Sequence, residues 1–325
     1  MNMKTKIIIY LAALLAVAAA TKIVAKQLEL PKARVTALVV DEQGSPMSGA
    51  TVKFVFGESS NANAIVKVGG VTGNDGIFAG EGYSDGGYGA DITKNNFYPN
   101  GLGAPALVDV VNGRWQPWNP TVKVVLRKIE KPVPLYGKQA WIEIPQTNTP
   151  CGYDLEAGDW IAPYGKGKTV DFVMTLNRQY ENRRKFNVSV VLSFSNALDG
   201  IQETKLPEDY RNSIFKWPRL APDTGYEATF TTRLEAIPGK GYNDTASEKQ
   251  AYFFRVRTVE RDGKIVSALY GKIGGGLRLA PSNSKTCELY LAYYLNPTSL
   301  DRNMEFDLKH NLLTNIGQFE DLREP

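Results

Sequence analysis

The sequence predicts an all-β protein of two domains behind a short N-terminal leader. From residue 33 onward, short runs rich in Val, Ile, Phe, Tyr and Thr alternate with Gly, Pro, Asn and Asp, which is the punctuation of strands and turns. Amphipathic helical patterns are almost absent; the best short candidate is Pro207-Glu208-Asp209-Tyr210-Arg211, with a proline at a first-turn position. The 325 residues are 43% hydrophobic and 22% charged, enough apolar material for two cores and too much for disorder.

The leader comes first. Lys4 and Lys6 precede an unbroken apolar run from Ile7 to Ala20, shorter than the roughly 20 residues a spanning helix needs. A basic start, a short apolar middle and small residues at its end predict a secretory signal over residues 1–20, cleaved after Ala18 or Ala20. Retention as an anchor reaching Ala25 is the alternative, opposed by Lys22. Export to the periplasm, cell surface or medium follows as the expectation, and no later segment is long and apolar enough to cross a membrane. The formal charge of +4 falls to +2 without the two leader lysines, which gives no reason to expect nucleic acid or anionic membrane as partner.

The first domain is expected over residues 33–130. Arg34–Val40 reads as a strand, Asp41–Pro46 as its turn and Thr51–Phe56 as the return strand, alternating polar and apolar. Asn74-Asp75-Gly76 is a turn whose glycine supplies positive φ, and Val122–Leu126 closes the domain. Lys131-Pro132-Val133-Pro134 marks a linker.

A larger β-sandwich is expected over 135–325, with strands at Thr169–Leu176, Phe186–Phe194, Tyr226–Ala236, Gln250–Val259, Lys264–Ile273 and Cys287–Leu295. The polar stretch Asn177–Lys185 separates the first two, and Asp262-Gly263 is a favoured hairpin turn. The tail after Asn296 reads as extended coil. Cys151 and Cys287 are the two cysteines; in an exported chain an even pair reads first as a disulfide, with two separate buried thiols as the alternative.

Gly44-Ser45-Pro46-Met47-Ser48-Gly49-Ala50, then Thr72-Gly73-Asn74-Asp75-Gly76-Ile77-Phe78, then Tyr88 through Lys94-Asn95-Asn96-Phe97-Tyr98 resemble the turn signatures of the carboxypeptidase regulatory-like, or prealbumin-like, domains of bacterial surface and periplasmic proteins. The resemblance covers less than a third of the chain. It implies an immunoglobulin-like sandwich without catalytic residues of its own. The stretch from Gly69 to Gly103 is richer in glycine than that family usually is. The second part resembles the C-terminal part of uncharacterised secreted bacterial proteins, which brings no function with it.

Catalytic patterns are mostly excluded. His310 is the only histidine and sits in the polar tail, too little for a catalytic zinc or a Ser-His-Asp triad. Ala162-Pro163-Tyr164-Gly165-Lys166-Gly167-Lys168-Thr169 follows a relaxed phosphate-loop pattern, with Ala162 for the first glycine, but a strand and not a helix comes after it, so it reads as a lysine-bearing hairpin. Asp301, Asn303, Glu305 and Asp307 space oxygens as a calcium loop does, yet lack its central glycine and its final acid; Asp75, Asp85 and Asp91 are a comparably weak set. Arg178, Arg183, Arg184 and Lys185 read as a solvated loop. No cofactor is implied.

Trp115, Trp118, Tyr83, Tyr88 and Tyr98 lie in glycine- and proline-rich loops of the first domain, where they either bind a sugar or partner or cap the core. The expectation is an exported, non-enzymatic binding or structural protein of the cell envelope, acting on a protein or glycan partner. A carboxylate-dependent glycan hydrolase in the second domain and a subunit of an envelope assembly are the alternatives.

Overall fold

The computed structural model describes residues 30–57, 65–101, 107–206, 212–281 and 286–325. Every regular element among them is a strand, so the chain is all-β. The leader and the helix candidate Pro207–Arg211 lie outside the described residues. The chain divides into two compact units, Met1–Ile129 with Asp209–Phe215, and Glu130–Glu208 with Lys216–Pro325. The second unit is therefore not one continuous stretch from residue 135. The chain leaves it briefly to pair Ser213 with Asn100 and to bury Phe215 4.8 Å from Tyr98, with the Arg127 guanidinium 4.4 Å from the same ring.

The first unit contains β1 (Lys32–Val40), β2 (Thr51–Phe56), β3 (Val66–Val71), β4 (Ile77–Tyr83), β5 (Tyr88–Thr93), β6 (Asn100–Gly101), β7 (Asp109–Val111), β8 (Arg114–Gln116) and β9 (Thr121–Val125). One sheet runs β4-β1-β8-β7 with β9 also on β1, and the other runs β3-β2-β5-β6. Alternation on β2 sends Val52, Phe54 and Phe56 into the core beside Val35, Ala37 and Val39 of β1. The glycines explain how two phenylalanines fit. A Cβ on Gly80 would collide with the Phe54 ring, and one on Gly82 with the Phe56 ring. The glycine-rich β4 is thus a strand with its side chains removed where rings lie across it.

The second unit contains β10 (Val133–Glu143), β11 (Cys151–Asp154), β12 (Asp159–Trp160), β13 (Phe172–Asn182), β14 (Lys185–Ser193), β15 (Gly200–Lys205), β16 (Thr229–Ile237), β17 (Gly241–Asp244), β18 (Gln250–Arg261), β19 (Lys264–Gly274), β20 (Arg278–Pro281), β21 (Cys287–Asn296) and β22 (Phe306–Asn311). One sheet runs β15-β18-β19-β21-β10-β22 with β20 also on β21, and the other runs β12-β11-β13-β14-β16-β17. Their inner faces share one core, where Phe172 of β13 meets Phe254 of β18 edge-on at 5.0 Å.

Several local expectations change. Strands β13 and β14 run through the polar stretch 177–185, because the ladder continues to Tyr180 opposite Phe186 and turns only after Asn182. The proline-marked segment opens β10, a place where a strand tolerates proline. The tail is not simply coil, since β22 pairs parallel with β10 and Leu322 is buried beside Leu135 and Phe306. At the β18–β19 turn, Asp262 and Gly263 have φ of 50° and 72°, the positive pair that a two-residue hairpin of matching twist requires.

The Cys151–Cys287 disulfide is not formed. Both thiols are free and buried in the shared core, acting as small apolar side chains. The Cys151 thiol donates to the Thr149 carbonyl at 3.5 Å, and the Cys287 thiol to the Glu288 carbonyl at 3.4 Å.

Candidate functional site

Strand β12 is the edge of its sheet, and β10 beyond Leu135 keeps only β21 as a strand partner among the described residues. Residues of both strands line a cleft of about 450 Å³. Tyr153 and Trp160 back the cleft as a buried pair, their rings edge-on at 5.1 Å. Tyr164 projects from the next loop and is 41% exposed. Lys138, Glu143, Asp159 and Thr286 supply polar groups from three separate chain segments.

The loop that carries Asp159 to Thr169 is fixed by two carboxylates. Asp154 accepts backbone N–H groups of Glu156, Ala157, Lys168 and Thr169 at 2.8–3.0 Å. Burial pushes its carboxyl up, but these four donors outweigh that and hold it below its ordinary value. Asp159 accepts from Trp160 and Lys166 at 2.8 and 2.9 Å. The amides that made Gly165–Thr169 resemble a phosphate loop therefore already cradle the chain's own anions. A Cβ on Gly167 would meet Asp154 and two backbone oxygens, so only glycine lets the loop close this tightly.

At the rim, the Thr286 hydroxyl donates to Glu143 at 2.5 Å, and the Lys138 ammonium donates to the Gly158 carbonyl at 3.0 Å while pairing with Glu320 at 3.3 Å. The Tyr153 hydroxyl is buried and has no hydrogen-bond partner among the described residues. Burial first, then the neighbouring Asp159, Glu320 and Asp154 carboxylates, keep it protonated far above the usual phenol range. A buried donor left unmade costs about 1–3 kcal/mol, and such a group calls for a functional or solvent partner.

The aromatic residues singled out from sequence lie elsewhere, in the first unit. Trp115 packs against its core and donates its indole N–H to the Ser84 carbonyl at 2.8 Å. Tyr88 stacks on Phe56 at 6.3 Å, and burial pushes its hydroxyl up to about 12. Tyr83 lies 5.4 Å from the Lys32 ammonium, Trp118 lies 4.8 Å from the Arg114 guanidinium, and Tyr98 is buried under Phe215. Trp115, Tyr88 and Tyr98 thus serve the core.

The remaining motifs are absorbed locally. Asp301 and Asn303 each accept the backbone N–H two residues on, and Glu305 accepts from Glu130 and Lys131. Asp75 and Asp85 close turns in the same way. His310 is exposed and meets Asp307 at 2.7 Å, a bond that holds the Asp307 carboxyl below its ordinary value. Lys185 pairs with Glu181 at 2.8 Å beside a second cleft of about 360 Å³, where Tyr180 stacks on Phe186 at 5.7 Å.

No protein-family model and no curated protein matches the chain. Among solved structures, one from Bacteroides uniformis described as a "putative carbohydrate binding protein" aligns at 12% identity over 82% of this chain and 99% of its own, with a TM-score of 0.19. That likeness is too distant to carry either fold or function across.

Proposed function

We propose that this chain is an exported, non-enzymatic glycan-binding protein of the cell envelope, whose binding site is the β10–β12 cleft. The leader pattern over residues 1–20 supports export. The first unit serves as an accessory module of the carboxypeptidase regulatory-like kind. The observation that carries the binding role is convergence. An exposed Tyr164, backed by the buried Tyr153–Trp160 pair, and side chains that donate and accept hydrogen bonds meet in one open cleft. Sugars present an apolar ring face and a rim of hydroxyls, so they are held by an aromatic surface with polar groups beside it.

A second reading, a carboxylate-dependent glycan hydrolase, is favoured by Glu143 and Asp159 lining the same cleft. Binding is preferred because Asp159 has both oxygens committed to its own loop and Glu143 accepts from Thr286. The test is a glycan array probed with the purified chain, beside the Tyr164→Ala variant. Binding that falls by about tenfold or more in the variant supports the proposal, since an aromatic contact at a binding centre contributes above 1 kcal/mol. Equal binding by both proteins overturns the site. Release of reducing ends from a bound glycan, lost in Glu143→Gln, establishes the hydrolase instead.

A further inference from the structure

The register of β10 against β21 sets Glu143 opposite Glu288, Ile142 opposite Leu289 and Trp141 opposite Tyr290. Side chains on one face of a strand recur every second residue, about 7 Å apart. Glu143 is a rim residue of the cleft, and it is bonded to Thr286, two residues before Glu288 and just ahead of β21. The next rung on the same face is the Trp141–Tyr290 pair, with ring centroids 5.4 Å apart. The cleft rim and this aromatic pair are successive rungs of one ladder.

Trp141 is 46% exposed, unusual for the largest apolar side chain in mid-strand. Its surroundings hold it in place. The Arg278 guanidinium sits 4.5 Å from the Tyr290 ring and 5.8 Å from Trp141, and its Nε is buried without a hydrogen-bond partner among the described residues. The Tyr290 hydroxyl reaches the Gln139 side chain at 3.3 Å. Beyond Gln139 the strip stops, because the Gln139 amide donates to the Glu320 carbonyl and its side chain to the Asp321 carbonyl. The exposed strip thus runs from Gln139 to Glu143, about 14 Å by strand rise, on the face of β10 opposite Lys138 and Ile142. It is closed by the tail at one end and meets the cleft at the other end at the strand edge, where Glu143 stands.

We infer that this strip is a second subsite, and that the ligand is an oligosaccharide chain and not a single terminal sugar. One part of the chain occupies the cleft beside Tyr164, and the continuing sugars cross Glu143 to stack on Trp141. The Arg278 guanidinium supplies donors to ring hydroxyls beside Trp141. This deepens the proposed function and rests on it. Tyr290 and Arg278 pack beside Trp141 and orient it, which is what a preformed stacking surface needs.

The experiment is titration calorimetry with neutral oligosaccharide series of one to six units, chosen from the linkage the array reports. In the unaltered chain, affinity should rise by about tenfold or more from the shortest binder to the longest, the gain of one added aromatic contact. Trp141→Ala should remove that gain while leaving the shortest binder unchanged, and Trp141→Phe should restore part of it. Length-independent affinity, or an unaltered length gain in Trp141→Ala, overturns the strip. If the shortest binder survives and depends on Tyr164 while no length gain exists, only this inference fails. If no oligosaccharide of any length binds, the proposed function fails with it.

Discussion

Arg257 grips Asp171 with two parallel hydrogen bonds, Nε to Oδ1 at 2.8 Å and Nη2 to Oδ2 at 3.0 Å, joining the two sheets of the second unit. Arg257 is at a break in the β18–β19 register and has φ of 55°, a conformation that disfavours side chains. Its backbone N–H and that of Thr258 are held by the Asp199 carboxylate, and its second Nη bonds Glu156 at 2.6 Å. The Asp171 side chain is fully buried. Arg257→Ala therefore leaves a buried carboxylate without its partner and should cost about 3–5 kcal/mol in urea unfolding. Arg257→Gly loses the same pair but relieves the positive φ, so it should be about 1 kcal/mol less damaging than the alanine variant. Equal losses would mean that the bulge imposes no backbone strain.

Asp154 predicts the acid response. Burial works to raise its carboxyl, but four backbone donors bring it below its ordinary value. A group with a depressed folded pKa stabilises the fold above its unfolded value of about 3.9, and that stability is lost as pH falls through the folded value. The chain should accordingly lose stability below about pH 4. Asp154→Asn should flatten that part of the curve while costing about 1–3 kcal/mol at neutral pH, because an amide oxygen replaces only half of the acceptors. Thermal melts at pH 3 to 7 check both statements.

Gly80 is tested by adding one methyl. Its Cβ would strike the Phe54 ring, which cannot move without disturbing Phe78, stacked 6.2 Å away. Gly80→Ala should cost about 1–3 kcal/mol through overpacking. Gly89→Ala, where nothing lies within 4 Å, should be tolerated. Chemical denaturation of the two variants decides it, and equal stability would refute the ring-over-glycine account.

The thiols offer a further check. Burial pushes the Cys287 thiol up to about 11, against a small lowering from the Ala280 backbone and Arg178. At neutral pH it is protonated and unreactive, since the thiolate is the nucleophile. Native protein should react slowly with a thiol reagent and release two equivalents once unfolded. Its melting temperature should not change with reductant. One disulfide and no thiols by non-reducing mass analysis would contradict the free pair.

What could be read from the residues was local. Thr51–Phe56 has the bounds its alternation implies, and Asp262-Gly263 makes the turn its chemistry favours. The strand β4 was obscured because Gly80 and Gly82 look like turn residues until Phe54 and Phe56, about 25 residues earlier, are laid over them. The cleft was illegible for a related reason. Lys138, Glu143, Tyr153, Asp159 and Thr286 share no motif and meet only when the edges of two sheets are brought together. Their one local sign was the Gly158-Asp159-Trp160 loop, where a large aromatic follows a tight turn. The surrounding glycines and prolines make Tyr83, Tyr88 and Trp115 read as loop residues, whereas they stand in β4, β5 and β8, and an aromatic beside a turn does not by itself tell a core cap from a binding surface.

Trp115 and Tyr164 separate those two roles. The Trp115 ring packs on the first-unit core, lies against Gly86 and donates to Ser84, so removing it opens a cavity and orphans a carbonyl. Trp115→Ala should cost about 3–5 kcal/mol of stability, the usual range for a buried large-to-small change, reduced toward the lower end because the ring is only partly buried. Its effect on glycan affinity should be nil under conditions where the protein remains folded. Tyr164 is exposed, so Tyr164→Ala should leave the melting temperature within about a degree, as surface changes do, and weaken glycan binding. Melting curves and binding isotherms on the same two preparations provide all four numbers. A Trp115 variant that melts normally but loses glycan would move the binding site to the first unit.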